Sequence, residues 1–159
     1  MEKLKIPYFK EEIDIQNLED EYDTELEYNG NEINIFLNEM QIADKEQFNI
    51  IKNVLKNLPE FDKQNRSFIT NDFDNKNGNT FEYLSYHLEE LEDDFEEIVD
   101  SDDTEITNLK KLMNFLKITT ISFYSDLVVF DYCLDDEISD QLLVVKMNRK
   151  KELYLDWES

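Results

Sequence analysis

One cysteine, one histidine, two glycines and two prolines in 159 residues exclude several kinds of chemistry at once. The lone Cys133 cannot close an intrachain disulfide, and one Cys with one His falls short of the four ligands of a structural zinc site. Two isolated glycines, Gly30 and Gly78, cannot build a Gly-rich phosphate loop, so nucleotide-dependent chemistry is not expected. His87 is the only imidazole. Serine or cysteine catalysis would need it as base together with a third, orienting group, and a structural histidine is the expected role. Long apolar runs are also missing: the best candidate, Ile118 to Ser125, is far shorter than the roughly 18 apolar residues of a membrane helix. Residues Met1 to Lys10 mix charge and proline without the apolar stretch of a secretory signal, which makes the cytoplasm the expected compartment.

Bases are scarce as well. Sixteen Lys and Arg stand against 39 Asp and Glu, a net charge of −23, whereas a magnitude of about 2–8 is usual for a small soluble domain. The imbalance is segregated: no base occurs from Glu11 to Asp44, nor from Glu89 to Glu105. Such a field repels nucleic acid and anionic membranes and attracts basic proteins or cations. What the chain does contain is core material, 40% hydrophobic residues with eleven Phe and eight Tyr, unlike a disordered acidic tail. With no repeat, linker or low-complexity tract, residues 1–159 read as a single domain.

The order of elements is legible from periodicity. A strand is expected around Ile13 to Ile15, followed by a hairpin whose turn is Asn29-Gly30. That turn sets Leu26 opposite Ile33, and Glu25 and Glu27 against Asn34 and Glu32 on the other face. From Asp44 the spacing of Phe48, Ile51, Leu55 and Leu58 is helical, with Asp44 and Gln47 as a capping-box pair and Pro59 as the stop. A weaker helix is expected over 62–73 with Phe68 and Ile69 inward. One long helix is predicted from Thr80 to Val99 on Phe81, Leu84, Leu88, Leu91, Phe95 and Ile98. Another is predicted from Glu105 to Leu116, burying Ile106, Leu109, Leu112, Met113 and Leu116, with Lys110, Lys111 and Lys117 toward its C-terminal end. Strands follow at Thr119–Tyr124, Leu127–Leu134, Leu142–Met147 and Leu153–Trp157. The fold class is α+β: a mostly antiparallel β-sheet from an N-terminal hairpin and a C-terminal meander, with three to four helices packed on one face.

No catalytic set, cofactor site or metal site is expected. The loop from Asp72 to Gly78 departs from a calcium loop in its glycine position, in Lys76 at a ligand position and in Tyr83 where a bidentate Glu belongs; a turn in which Asn79 or Thr80 caps the next helix is the simpler reading. Asp131, in an apolar strand on the side of Leu127, Val129 and Cys133, either faces water or has a raised pKa. The acidic helix face is either a solvated surface, a docking surface for a basic partner or a cation site. If it docks a partner, Glu89, Glu92, Asp93, Glu96 and Glu97 are the steering acids.

Pro7-Tyr8-Phe9, Tyr86-His87-Leu88-Glu89-Glu90, Val129-Phe130-Asp131-Tyr132, Leu142-Leu143-Val144-Val145-Lys146 and the terminal Glu158-Ser159, taken in order, resemble the bacterial domain-of-unknown-function family numbered 2004. The likeness spans nearly the whole chain and implies a compact α+β domain with no known activity. By analogy of size and charge, such domains look like immunity proteins of toxin systems. Asn148-Arg149-Lys150-Lys151 stands where a glycine turn is expected, and places a small basic spot beside the sheet. The function expected from all this is a non-enzymatic acidic binding protein for a basic protein, such as the immunity partner of a basic toxin. The alternatives are a nucleic-acid mimic, a small carboxylate-based enzyme, and a housekeeping domain whose charge serves solubility alone.

Overall fold

The computed structural model describes residues 3–10, 12–14, 18–19, 21–40 and 44–159. A short antiparallel pair, β1 (Lys3–Leu4) and β2 (Ile13–Asp14), precedes the main sheet. The expected strand at Ile13 to Ile15 thus belongs to this separate pair, and Ile15 lies outside the described residues. The segment is tied to the main sheet where the Thr24 hydroxyl donates to the Tyr8 carbonyl at 3.1 Å, and it buries Ile6 and Ile13.

β3 (Glu21–Tyr28) and β4 (Asn31–Asn38) form the expected hairpin in the expected register, Leu26 opposite Ile33. Asn29 and Gly30 both take positive φ, 50° and 80°. This is the backbone of a tight two-residue turn, whose twist matches that of the strands it joins. The chain then leaves the sheet for four helices and returns as β5 (Lys117–Phe123), which pairs parallel with β4. β6 (Leu127–Cys133), β7 (Leu142–Asn148) and β8 (Leu153–Glu158) complete an antiparallel meander, giving a six-stranded sheet in the order β3-β4-β5-β6-β7-β8.

The helices are α1 (Lys45–Lys56), α2 (Leu58–Phe73), α3 (Asn79–Glu90) and α4 (Glu105–Phe115). Their apolar faces, including Ile51, Leu55, Ile69, Leu84, Leu109 and Leu112, meet the inward residues of the sheet, such as Ile33, Ile35, Ile121, Phe130, Leu143 and Val145, in one core. The α+β architecture with helices on one face of a mostly antiparallel sheet is therefore present.

Five local expectations need correction. The helix expected from Thr80 to Val99 stops at Glu90, and the chain tightens into a 3-10 turn over Glu92–Phe95. Glu89, Glu90, Glu92, Asp93, Asp94, Glu96 and Glu97 would repel one another at i,i+3 and i,i+4 spacing and crowd the negative end of the helix dipole. Breaking the helix still lets Phe95 turn inward, where it is buried. Pro59 does not merely end α1: it sits in the first turn of α2, where its missing N–H costs nothing. Ile106 is exposed rather than buried, and Phe68 is only half-buried. Lys111 pairs with Asp103 before the start of α4 instead of serving its C-terminal end.

Capping is partly as expected. Asp44 Oδ1 accepts from Gln47 N at 3.1 Å, but the Gln47 amide bonds the Asn38 carbonyl instead of returning to the cap. At the start of α3 neither Asn79 nor Thr80 caps. The Asp72 carboxylate, from the end of α2, accepts from Thr80 N at 2.9 Å. Gly78 leaves room for this bond: a Cβ there would lie 2.9 Å from Asp72 Oδ1 and 3.1 Å from the Asn75 carbonyl, so the cap would have to shift. Arg149, in the β7–β8 turn, reaches back to Asp44, Glu46 and the Ser125 carbonyl. The basic spot is thereby used partly as a clamp on the N-terminus of α1.

Candidate functional site: the open face of the sheet

Strand alternation sends every second residue away from the helices. On β3 these are Glu21, Asp23, Glu25 and Glu27, all exposed. Across the sheet the outward residues include the apolar or neutral Phe36, Ser122, Leu127, Val129, Leu142 and the buried Val144, interspersed with the charged Glu32, Asp131 and Lys146. At the far edge Tyr154, Asp156 and Glu158 are again exposed. One row runs Asp23, Phe36, Ser122, Val129, Lys146, Tyr154 through consecutive pairings. The face is a mixed, partly apolar surface between acidic margins, and all four helices lie on the other side of the sheet.

Electrostatics on this face are strained. Glu32 faces Glu27 in the hairpin, and its pKa is raised by a hydrogen bond and repulsion from Glu25. Lys146 is already engaged, at 2.9 Å from Asp156 and 3.0 Å from Glu158, and its pKa is raised by those bonds. Asp131 lies half-buried between Thr120 and Val144. Burial, helped by Glu158 and opposed by Lys146, pushes its pKa up to about 6. Neither of its two expected roles excludes the other: the carboxylate faces the open side and is also raised. A groove of about 330 Å³ on this face is lined by Glu39, Tyr124, Asp126, Leu127, Val129, Lys146 and Glu158, and does not include Asp131.

The five steering acids occupy a different place. Glu89, Glu92, Asp93, Glu96 and Glu97 are all exposed on the helical side, at the end of α3 and in the turn that follows. Glu92, Asp93, Glu96 and Glu97 line one groove of about 650 Å³ with Asp100 and Lys111; Glu89 is not part of it. The two acidic blocks of the sequence therefore do not merge: the β3 acids mark one margin of the open sheet face, and the 89–105 block decorates the helical layer. Among the described residues no group of three or more His, Cys, Asp or Glu side chains is arranged to hold a metal ion.

His87 is fully buried, with Nδ1 2.7 Å from the Tyr83 carbonyl and Nε2 2.8 Å from Ser139 Oγ. A carbonyl only accepts, so Nδ1 carries the proton and Nε2 accepts from the serine hydroxyl. Burial lowers the pKa of His87 and keeps the ring neutral. The rings of Tyr83, Tyr86 and Phe95 close around it at 4.4, 5.1 and 6.0 Å, so the Ser139–His87 pair is sealed from a substrate.

Sequence reasoning missed a second buried polar cluster. Asp62 is buried on α2, and three donors converge on it: Tyr132 Oη at 2.8 Å, Tyr28 Oη at 2.9 Å and Arg66 Nε at 3.0 Å. The pKa of both tyrosines is raised, first by burial and then by the carboxylate they bond. The i,i+4 spacing of Asp62 and Arg66 was readable in the sequence; the tyrosines come from distant strands.

No family model, curated protein or solved structure matches the chain. Among the described residues no helix is long and apolar enough to cross a membrane.

Proposed function

We propose that this protein is a non-enzymatic binding module for a basic protein, of the kind an immunity protein forms with a basic toxin, and that the open sheet face is where the partner docks. The observation that carries this reading is a partly apolar sheet face, on which Phe36, Leu127, Val129 and Leu142 lie half-buried between rows of exposed acids, with none of the four helices over it. Acidic margins raise the rate of encounter with a positive surface, and the apolar centre supplies most of the affinity once water is excluded. Asp131 strengthens the case: a half-buried carboxylate costs stability in the free protein, and an incoming Lys or Arg would offset that cost. The acids from Glu89 to Glu97 then act at longer range, as steering charges on the helical side.

A nucleic-acid mimic is the second reading, favoured by one feature. Alternate residues of a strand lie about 6.8 Å apart, so Glu21, Asp23, Glu25 and Glu27 form a line of charges spaced much like successive phosphates.

The experiment is affinity capture at low salt with three baits: the native protein, Glu25→Lys with Glu27→Lys on the face, and Gln at positions 89, 92, 93, 96 and 97. A single basic protein retained by the native bait, lost by the face variant and bound more slowly by the glutamine variant supports the proposal. Diffuse basic proteins eluting together from all three baits would refute it. Displacement of the captured protein's own nucleic acid would move the conclusion to the mimic.

A further inference from the structure

A second site lies on α2, in a groove of about 530 Å³ between that helix and the β3–β4 turn. Lys63, Arg66, Ser67 and Thr70 fall on one helical stripe and line the groove with Asn29, Pro59, Asn71 and the carboxylate of Asp62. In a chain of charge −23 it is notable that two cations share one concavity. Lys63 is exposed and, among the described residues, has no carboxylate within ion-pairing distance.

Arg66 is held in a way that leaves its recognition edge free. Its Nε bonds Asp62 Oδ1, and its guanidinium carbon lies 5.5 Å from the centre of the Tyr132 ring. Both oxygens of Asp62 are occupied, one by Tyr132 and Arg66, the other by Tyr28. No partner falls within hydrogen-bonding distance of the two terminal nitrogens of Arg66 among the described residues. The buried carboxylate and the tyrosines thus fix the plane of a guanidinium whose remaining donors form a fork, the geometry that binds two oxygens of one anion.

We propose that this groove binds the phosphoryl group of a small molecule. The Arg66 fork would take two phosphoryl oxygens and Lys63 a third, with the Ser67 hydroxyl close by on the same stripe. A carboxylate could meet Lys63 only by sharing an oxygen with the Arg66 fork, whereas a phosphoryl group offers each cation its own oxygen. A polyanion such as nucleic acid is disfavoured by the field of the whole chain, which leaves a small ligand. Asp62 also lines the groove, but Tyr132, Arg66 and Tyr28 already engage both of its oxygens; it is a positioning residue that orients Arg66.

The test is a titration of the full-length protein with inorganic phosphate and, separately, ribose 5-phosphate, followed by nitrogen-15 NMR at low ionic strength. Saturable shifts centred on Arg66, Lys63 and Ser67 are expected. Tighter binding of the sugar phosphate would assign the site to phosphate esters, and equal binding to free phosphate; either supports the proposal. Lys63→Gln removes an exposed side chain with no hydrogen-bond or ion-pair partner among the described residues, and Arg66→Lys keeps the charge beside Asp62 while removing the fork. Each should weaken binding by about tenfold, the loss of one charge-assisted contact of about 1.4 kcal/mol. No saturable shift in the groove, or shifts that persist unchanged in both variants, would overturn it.

Discussion

Asp131→Asn should make this protein more stable at neutral pH and leave it nearly unchanged in acid. An unfolded aspartate titrates at about 3.9, whereas in the fold Asp131 titrates at about 6 because burial disfavours its charge. The folded state therefore holds the proton more tightly. Stability from the protonated form is complete below the unfolded pKa and is lost as pH rises through the folded value. The gap of about two units corresponds to at most ~3 kcal/mol at 1.36 kcal/mol per unit. Asp131 is only half-buried, and discounting for solvent screening leaves about 1–2 kcal/mol. Asparagine keeps the shape and cannot ionise. Urea unfolding should accordingly show a midpoint higher by about 0.5–1 M for the variant at about pH 7.5, taking a slope of about 2 kcal/mol per M. Most of that gain should vanish at about pH 4. The comparison must be between the two proteins at each pH, because His87 works in the opposite sense: its lowered pKa means stability is lost as pH falls below about 6.5. A variant no more stable than the native protein at neutral pH, or a gap independent of pH, would refute the desolvation argument.

Two further outcomes follow from buried groups. Tyr132→Phe should cost about 2 kcal/mol in thermal unfolding, because it strips a donor from the buried Asp62 carboxylate where water cannot replace it; Tyr28→Phe, at a half-exposed position, should cost under about 1 kcal/mol, and equal losses would contradict the difference in burial. Cys133 is buried and its thiol is pushed up to about 11, first by burial, so a thiol reagent should label it only after denaturant is added; prompt labelling of the native protein would count against the described packing.

The legibility of the fold varied with the range of the interaction that decides each element. The β3–β4 hairpin was readable to the residue because Asn29-Gly30 sets the register locally. The meander was readable because β-branched and aromatic runs alternate with polar turns. The parallel pairing of β4 with β5 was not, since nothing near either strand encodes it. The helix over 80–99 was misjudged for a physical reason: apolar spacing continued past Glu90, but the charge needed to continue the helix was of the wrong sign. At the candidate site, the Glu25 and Glu27 surface opposite Asn34 and Glu32 was visible in the hairpin register. Its union with Val129, Val144 and Lys146 into one face depends on strand order. The Asp62 cluster depends on Tyr28 and Tyr132 meeting α2 from separate strands, and no local pattern records that.

The parallel step in the sheet also imposes an order of events during synthesis. The hairpin emerges early, but Ile35 must wait for Ile121 before its edge is closed. Through that interval the growing chain presents an unpaired apolar strand, a common starting point for aggregation. The exposed acids of β3 and the absence of any base from Glu11 to Asp44 would set two such nascent hairpins apart by like-charge repulsion. On this account part of the chain's unusual charge guards the ribosome-bound half-sheet, and only later becomes one margin of the open sheet face.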